Sequence, residues 1–322
     1  MKKEFLFKNL IETLQDRVPQ RGKLADILAG LLGIEKEAVY RRLRGSVPFS
    51  FPEVHAIALY LGFSLDSIAD DISPLTRQMR IIMSEFLDSK EIDYELLESF
   101  TASICRLNED PNSESGAIGS IMPASLCVAY EQIYKFYLFK CARQFGNNGK
   151  ITYAGTLVPE RLKQNNRELV EGVQNSPRSI YILDRRFIEY FVGDILFFFD
   201  VRLITKQDIL LLKEDLLLMI SDLERYAACG CFDTGKNVDV YLANVHIDAN
   251  YNYIDSVGCK LVLIRTFGFS ESYSFDAVVF QNMKNWLNFF KRNSTLISKG
   301  NTAERIRFFE EQRKIINSMS VD

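Results

Sequence analysis

Residues 24–45 read LADILAGLLGIEKEAVYRRLRG, and the spacing of their apolar positions decides the fold of the N-terminal part. Leu24, Ile27, Leu28, Leu31 and Leu32 recur at steps of three and four, which puts them on one face of a helix. Gly33 follows, where a left-handed backbone conformation costs glycine least. Ile34, Val39 and Leu43 then anchor a second, shorter helix, and Gly45 ends it. Two short helices joined across a glycine turn form the reading head of many DNA-binding proteins. The stretch therefore points to sequence-specific binding of double-stranded DNA.

At about 100° per residue the second helix divides into faces. Val39 and Leu43 lie four apart and point inward; Lys36, Tyr40 and Arg44 form another stripe, flanked by Glu37 and Arg41. Long donors above an apolar underside are what a recognition helix needs. Arginine suits guanine O6 and N7 because its planar fork donates two parallel hydrogen bonds, and a tyrosine can meet a phosphate or a thymine methyl. The expected DNA-binding residues are Lys36, Tyr40, Arg41, Arg42 and Arg44, on a recognition helix over about 35–44. Arg42 flanks the apolar face and is expected to reach a phosphate along its own helix. The competing reading makes Glu37 and Arg41 a solvated i,i+4 pair on an ordinary surface. The helical hairpin would then dock another protein instead of DNA.

The flanks add helices. Ser50-Phe51-Pro52-Glu53 is a capping-box start, Val54, Ile57, Ala58 and Leu61 supply its stripe, and Ser64 opens a further short helix through Leu65, Ile68 and Ala69. Upstream, Phe5, Leu6, Leu10, Ile11 and Leu14 make an opening helix before Pro19. Through Ala29, Gly33, Ile34, Val39, Gly45 and the trailing GFSLDSI at 62–68, residues 5–70 resemble the phage-repressor (Cro/Xre-type) helix-turn-helix domain. The resemblance implies a lambda-repressor-like five-helix domain, with its third helix in the major groove, working as a dimer on a palindromic site. Two positions depart from the family pattern. Ala25 stands where a glutamine commonly opens the second helix, and Arg42 stands where an apolar residue is usual, which implies looser packing beneath the recognition helix.

Composition narrows the remaining classes. The chain has 322 residues, 47% hydrophobic and 25% charged, long enough for two or three globular domains. It has no apolar run of membrane-spanning length, and Glu4, Lys8 and Glu12 interrupt any signal-peptide core, so the expected compartment is the cytoplasm. Net charge is −3, and residues 1–75 carry ten basic and ten acidic groups, which excludes a general nucleic-acid coat. The basic character is confined to Lys36, Arg41, Arg42 and Arg44. Six cysteines include no CxxC pair, and Cys229 and Cys231 read as too close for an ordinary bridge. With two histidines, neither a metal nor a cofactor is expected, and the thiols read as reduced and mostly buried.

Beyond the first 74 residues the fold class reads as α+β: a helical connecting or dimerising region over 75–150, then an α+β domain over 151–322 with antiparallel strands and no βαβ alternation. Helices are expected through Met79, Ile82, Met83, Phe86 and Leu87, through Tyr94, Leu97 and Phe100, over 124–145, over 205–226 behind a Thr205–Asp208 cap, through Met283 and Trp286, and from Asn301 with Glu304 completing a capping box. NEDPNSESGAIGS at 108–120 reads as an exposed loop, and Asp248, Asn250 and Asn252 as a turn between strands at 238–247 and 260–267. Catalytic motifs are missing, so the chain is expected not to be an enzyme; a cleft gathering Asp184, Arg202 and His246 would argue otherwise. The abundance of tyrosine and phenylalanine (14 and 24) fits a pocket for a small-molecule effector, a plain core or a homodimer interface equally well.

Overall fold

The computed structural model describes residues 2–61, 63, 65, 68, 80–82, 94–145, 151–267 and 270–319. They fall into two compact units, Met1–Gln78 and Met79–Asp322.

The N-terminal unit is built from α1 (Lys2–Arg17), α2 (Arg21–Leu32), α3 (Lys36–Leu43) and α4 (Phe51–Leu61). Their inward stripes meet in a core of Leu10, Leu14, Leu24, Leu28, Val39, Leu43 and Ile57. Ile68 is buried in the same core and accepts a 3.1 Å bond from Asn9; most of the fifth helix expected around it lies outside the described residues.

The C-terminal unit is α+β. Its strands are β1 (Arg80–Ile82), β2 (Glu114–Gly119), β3 (Arg178–Leu183), β4 (Asn237–Ala243), β5 (Asn250–Asp255), β6 (Lys260–Phe267), β7 (Ser270–Ser274) and β8 (Ser294–Leu296). They form one eight-stranded mixed sheet in the order β1-β7-β6-β5-β2-β3-β4-β8. The helices are α5 (Tyr94–Cys105), α6 (Ala124–Cys127), α7 (Glu131–Phe145), α8 (Glu160–Asn175), α9 (Phe187–Asp200), α10 (Lys206–Cys229), α11 (Ala277–Arg292) and α12 (Thr302–Asn317). Period-two alternation splits the strands between two cores. Ala117, Tyr181, Val240, Ile254 and Leu263 face the larger one beneath α5–α10 and α12. Ile118, Ile180, Ile182, Tyr253 and Val262 face a smaller one covered by Phe280, Met283, Leu287 and Phe290 of α11.

Several sequence expectations hold. The Thr205–Asp208 capping box forms, and Ile209, Leu212, Leu216, Met219, Ile220 and Leu223 are wholly buried along α10. Others need correction. β2, β3 and β4 are mutually parallel and joined through helices, so βαβ crossovers lie at the centre of the sheet with antiparallel strands outside them. The stretch 108–120 is not an exposed loop: its second half is β2, between β5 and β3. Asn250 and Asn252 lie in β5, which makes the true hairpin with β6. The helix expected around Ile82 is a strand at Arg80–Ile82, antiparallel to β7, and its other positions lie outside the described residues. Residues 94–145 belong to the same unit as the later strands, so no boundary at 150 separates them. Glu304 does not cap α12. It pairs with Arg185 at 2.6 Å and with Arg307. Finally, Cys229 and Cys231 are joined as a disulfide: Gly230, at φ +71°, turns the chain so that the two Cα atoms stand 5.3 Å apart, an ordinary span for a bridge. Cys127 and Cys141 are buried free thiols, and Cys105 and Cys259 are half-buried ones.

Candidate nucleic-acid interface

Gly33 carries the turn between α2 and α3. Its φ of +63° is the left-handed conformation that the sequence reserved for glycine, and its amide bonds back to the Ala29 carbonyl. Ile34 donates to the same carbonyl at 3.2 Å. The chain therefore re-enters a helix at once. Val39 and Leu43 are buried beneath α3, leaving Lys36, Glu37, Arg41 and Arg44 outward. The cationic side of the helix faces away from the core of its unit.

The five expected contact residues do not stand alike. Arg41 is exposed, and among the described residues its guanidinium has no ion-pair or hydrogen-bond partner. Arg44 donates to Glu37 at 2.9 Å, with both side chains more than half exposed. Lys36 pairs with Asp26 of α2, which raises its pKa above the ordinary lysine value first through that hydrogen bond and then through charge. Tyr40 is half-buried against the apolar core.

Arg42 is the exception. Its Nη2 reaches Glu53 Oε1 at 2.9 Å, its Nε reaches Oε2 at 3.4 Å, and both side chains are about one-fifth exposed. Glu53 in turn accepts the Ser50 amide at 2.7 Å, completing the capping box at the start of α4. Burial alone would raise the Glu53 pKa, but the Ser50 amide and the Arg42 guanidinium outweigh it and hold the carboxyl below its usual range. Arg42 thus ties α3 to α4. The unusual arginine does not loosen the packing under the recognition helix; a charged pair occupies the place of an apolar contact.

Magnitudes separate the two kinds of pair. Exposed ion pairs contribute at most about 1 kcal/mol and exchange readily, so Lys36 and Arg44 can leave Asp26 and Glu37 for a phosphate. A two-point arginine–carboxylate bond out of solvent is held harder. The groups presented to an anionic partner are Arg41, Arg44 and Lys36, with Arg42 bound behind them.

Sequence reasoning passed over a second group. Ala25 is wholly buried, because α2 starts one turn earlier than the family pattern suggested, at Arg21 with Gln20 as its extended N-cap. Gln20, Arg21 and Lys23 are all exposed, and Lys23 shares a face of α2 with Asp26, the partner of Lys36. The signal was available: three polar residues with two cations cluster just after Pro19.

In the C-terminal unit, Asp184 accepts the Arg186 amide at 2.8 Å, while His246 is exposed and lies 3.7 Å from Asp248. Arg202 is exposed with φ +60°. Among the described residues no contact joins these three. Among the described residues no helix is long and apolar enough to cross a membrane.

Among known proteins, no curated protein and no solved structure matches this chain. Residues 2–80, about a quarter of its length, do match the family model of the BetR domain, a helix-turn-helix-type domain of transcription regulators. That match suggests a DNA-binding regulatory domain at this end of the chain.

Proposed function

We propose that this chain is a sequence-specific transcription regulator whose α3 lies in the major groove in the manner of Cro/Xre-type repressors. The observation that carries the reading is the outward cationic face of α3, with Arg41 free of partners among the described residues and Arg44 and Lys36 in pairs weak enough to exchange. Arg41 and Arg44 read base edges, Lys36 and Tyr40 meet the backbone, and Arg42 positions α3 through Glu53 without touching DNA. Gln20, Arg21 and Lys23, at the start of α2, add phosphate contacts where the first helix of such a pair crosses the backbone. The charge-balanced unit gives little non-specific affinity, so the working form is a homodimer with two recognition helices about 34 Å apart on a palindromic site. The C-terminal unit serves dimerisation and effector sensing instead of catalysis.

Selection of bound sequences from random DNA with the full-length chain tests this. The expected product is a palindrome with half-sites one turn apart. Mobility-shift titration against salt should then give a steep loss of affinity, with a slope that falls by about 0.9 for each phosphate contact removed. Arg44→Ala should cost about 1–3 kcal/mol and relax preference at one base pair. A bound population with no common sequence sinks the reading.

One observation favours a second reading, a protein-interaction module. Phe51, His55 and Leu59 are exposed one turn apart along α4, with Tyr60 exposed beside them. Under that reading selection from random DNA would yield no common sequence, and any residual binding to DNA fragments would be non-specific and lost as salt rises. Leu59→Glu would instead abolish association with the protein partner.

A further inference from the structure

Over the larger core of the C-terminal unit lies a cavity of about 420 Å³, with β2, β5 and β6 below it and α5, α6 and α8 above. It is within the size range of small-molecule sites. Its origin is in the sequence of β2. Ser115 and Ala117 point to this face, and both are small. On the strands beside them the same face carries Tyr181, Ile254 and Leu263. Small residues at the centre of a sheet with large ones around them leave a hollow.

Apolar and aromatic side chains make up much of the wall, among them Leu97, Phe100, Ile104, Leu169 and Tyr273. Polar groups elsewhere on it are answered within the fold. Ser115 Oγ lies 3.3 Å from Ser179 Oγ, Ser125 Oγ lies 2.8 Å from the Tyr181 hydroxyl, and the Tyr253 hydroxyl donates to Glu114 at 2.7 Å. Two side chains break that pattern. Thr101 of α5 is 2% exposed and Asn165 of α8 is 5% exposed, and both line the cavity. Among the described residues neither Thr101 Oγ1 nor Asn165 Oδ1 has a hydrogen-bond partner. The two helices pack against each other, so the unpaired atoms belong to adjoining elements of one wall. A polar atom buried unpaired gives up its hydration for nothing, and native folds keep such atoms few. A hydroxyl supplies what both lack: a hydrogen for Asn165 Oδ1, which can only accept, and an oxygen for the Thr101 hydroxyl, which can donate.

We propose that this cavity binds a small uncharged molecule, apolar and ring-shaped over most of its surface, whose hydroxyl bonds to Thr101 and Asn165. Aromatic walls suit a ring, and the two unpaired oxygens call for the hydroxyl. A charge in such a wall is costly unless it is paired, and the one ionised side chain of the described lining, Arg265, has contacts of its own. That such a ligand acts as an effector rests on reading the chain as a DNA-binding regulator; that it binds does not.

The probe is 2-naphthol, measured by equilibrium dialysis against the full-length chain beside 2-methoxynaphthalene, which keeps the rings and loses the donor, and 2-naphthoate, which exchanges the hydroxyl for a charge. The naphthol should bind about tenfold more tightly than either. Thr101→Val keeps the shape of the side chain and removes its hydroxyl; it should erase the preference for naphthol over the methyl ether and leave binding of the ether within about twofold. Because it deletes an unpaired atom, it should not lower the unfolding midpoint, whereas a threonine bonded within the fold would. Asn165→Leu should erase the same preference and decides the matter if Thr101→Val does not fold. Ala117→Leu, which fills the floor, should abolish binding of all three probes. Equal binding of naphthol and its ether, tighter binding of the naphthoate, binding of none, or a preference that survives the Thr101 and Asn165 variants overturns the proposal. In mobility shifts on the selected site, 2-naphthol should change affinity about threefold or more. Binding without that change leaves the site standing and removes its regulatory role. Failure to bind any DNA, with the naphthol still bound, removes the regulator reading and leaves the site.

Discussion

Arg44 and Glu37 in the N-terminal unit, and Lys284 and Glu114 in the C-terminal unit, make ion pairs of nearly the same length, 2.9 and 2.7 Å. Their surroundings differ. The first two side chains are 54% and 73% exposed, the second two 21% and 13%. Glu114 also accepts the Tyr253 hydroxyl at 2.7 Å and lies 3.6 Å from Arg178, which pairs with Asp239; Lys284 also reaches Asp255. Where water covers a pair, it is exchangeable and the charge remains available to a partner. Where protein covers it, the same geometry becomes a joint between β2, β5 and α11. The exposed face of α3 holds Arg44 loosely, and the joint between β2, β5 and α11 holds Lys284 firmly.

The largest test of that contrast is Glu114→Ala. It leaves the buried Tyr253 hydroxyl unpaired and Lys284 with Asp255 alone, so urea unfolding of the C-terminal unit should lose about 2–3 kcal/mol. A loss as small as that from an exposed pair would show that burial does not set the difference. Next comes Arg42→Ala, which breaks the two-point bond to Glu53. The N-terminal transition should lose about 1–2 kcal/mol, whereas Arg44→Ala should leave it within about 0.5 kcal/mol. If the two variants lose equal stability, Arg42 is an ordinary surface arginine and its assignment as a positioning residue fails.

How much of this was legible in the sequence depends on the range of the interaction. The turn at Gly33, the buried underside of α3 and the whole of α10 were readable because helical spacing and caps are local. The partner of Arg42 was not, since Glu53 lies eleven residues on, across a loop, where it had already been given another task as a cap. β2 was hidden by its composition: ESGAIG has the small, polar look of a loop. Its glycine has a packing reason, because a Cβ at Gly116 would lie 2.3 Å from the Tyr253 ring. β3, RSIYIL, is buried from Ser179 through Leu183 on both faces, so it lacks the alternation that marks a half-buried strand. A cavity over the larger core lay deeper still: its lining residues Thr101 and Asn165 come from two helices and Arg265 from the sheet, positions far apart in sequence.

The depressed pKa of Glu53 gives a smaller, pH-dependent test. A carboxylate held below its unfolded value contributes stability in full above the unfolded pKa, near 4.3–4.5, and loses it as pH falls through the folded value. The N-terminal unit should therefore lose stability progressively below about pH 4.5. Glu53→Gln, whose side chain cannot ionise, should flatten that slope. A slope unchanged in Glu53→Gln would place the acid sensitivity elsewhere.

The smallest effect on folding should accompany the most telling effect on binding. Glu37→Gln removes an exposed pair, so the stability of the N-terminal unit should move by no more than about 0.5 kcal/mol. It also releases Arg44 and removes a negative charge from the face proposed to meet phosphates. Affinity for the selected DNA should rise about three- to tenfold at low salt, and the gain should shrink as salt screens the charge. The direction matters more than the size. Arg44→Ala and Glu37→Gln both break the same contact, and only a face used for DNA makes their effects opposite in sign. Should Glu37→Gln weaken binding instead, Glu37 is itself accepting a hydrogen bond from a cytosine amino group. The exposed pair would then be part of the reading surface and not a rest position for Arg44.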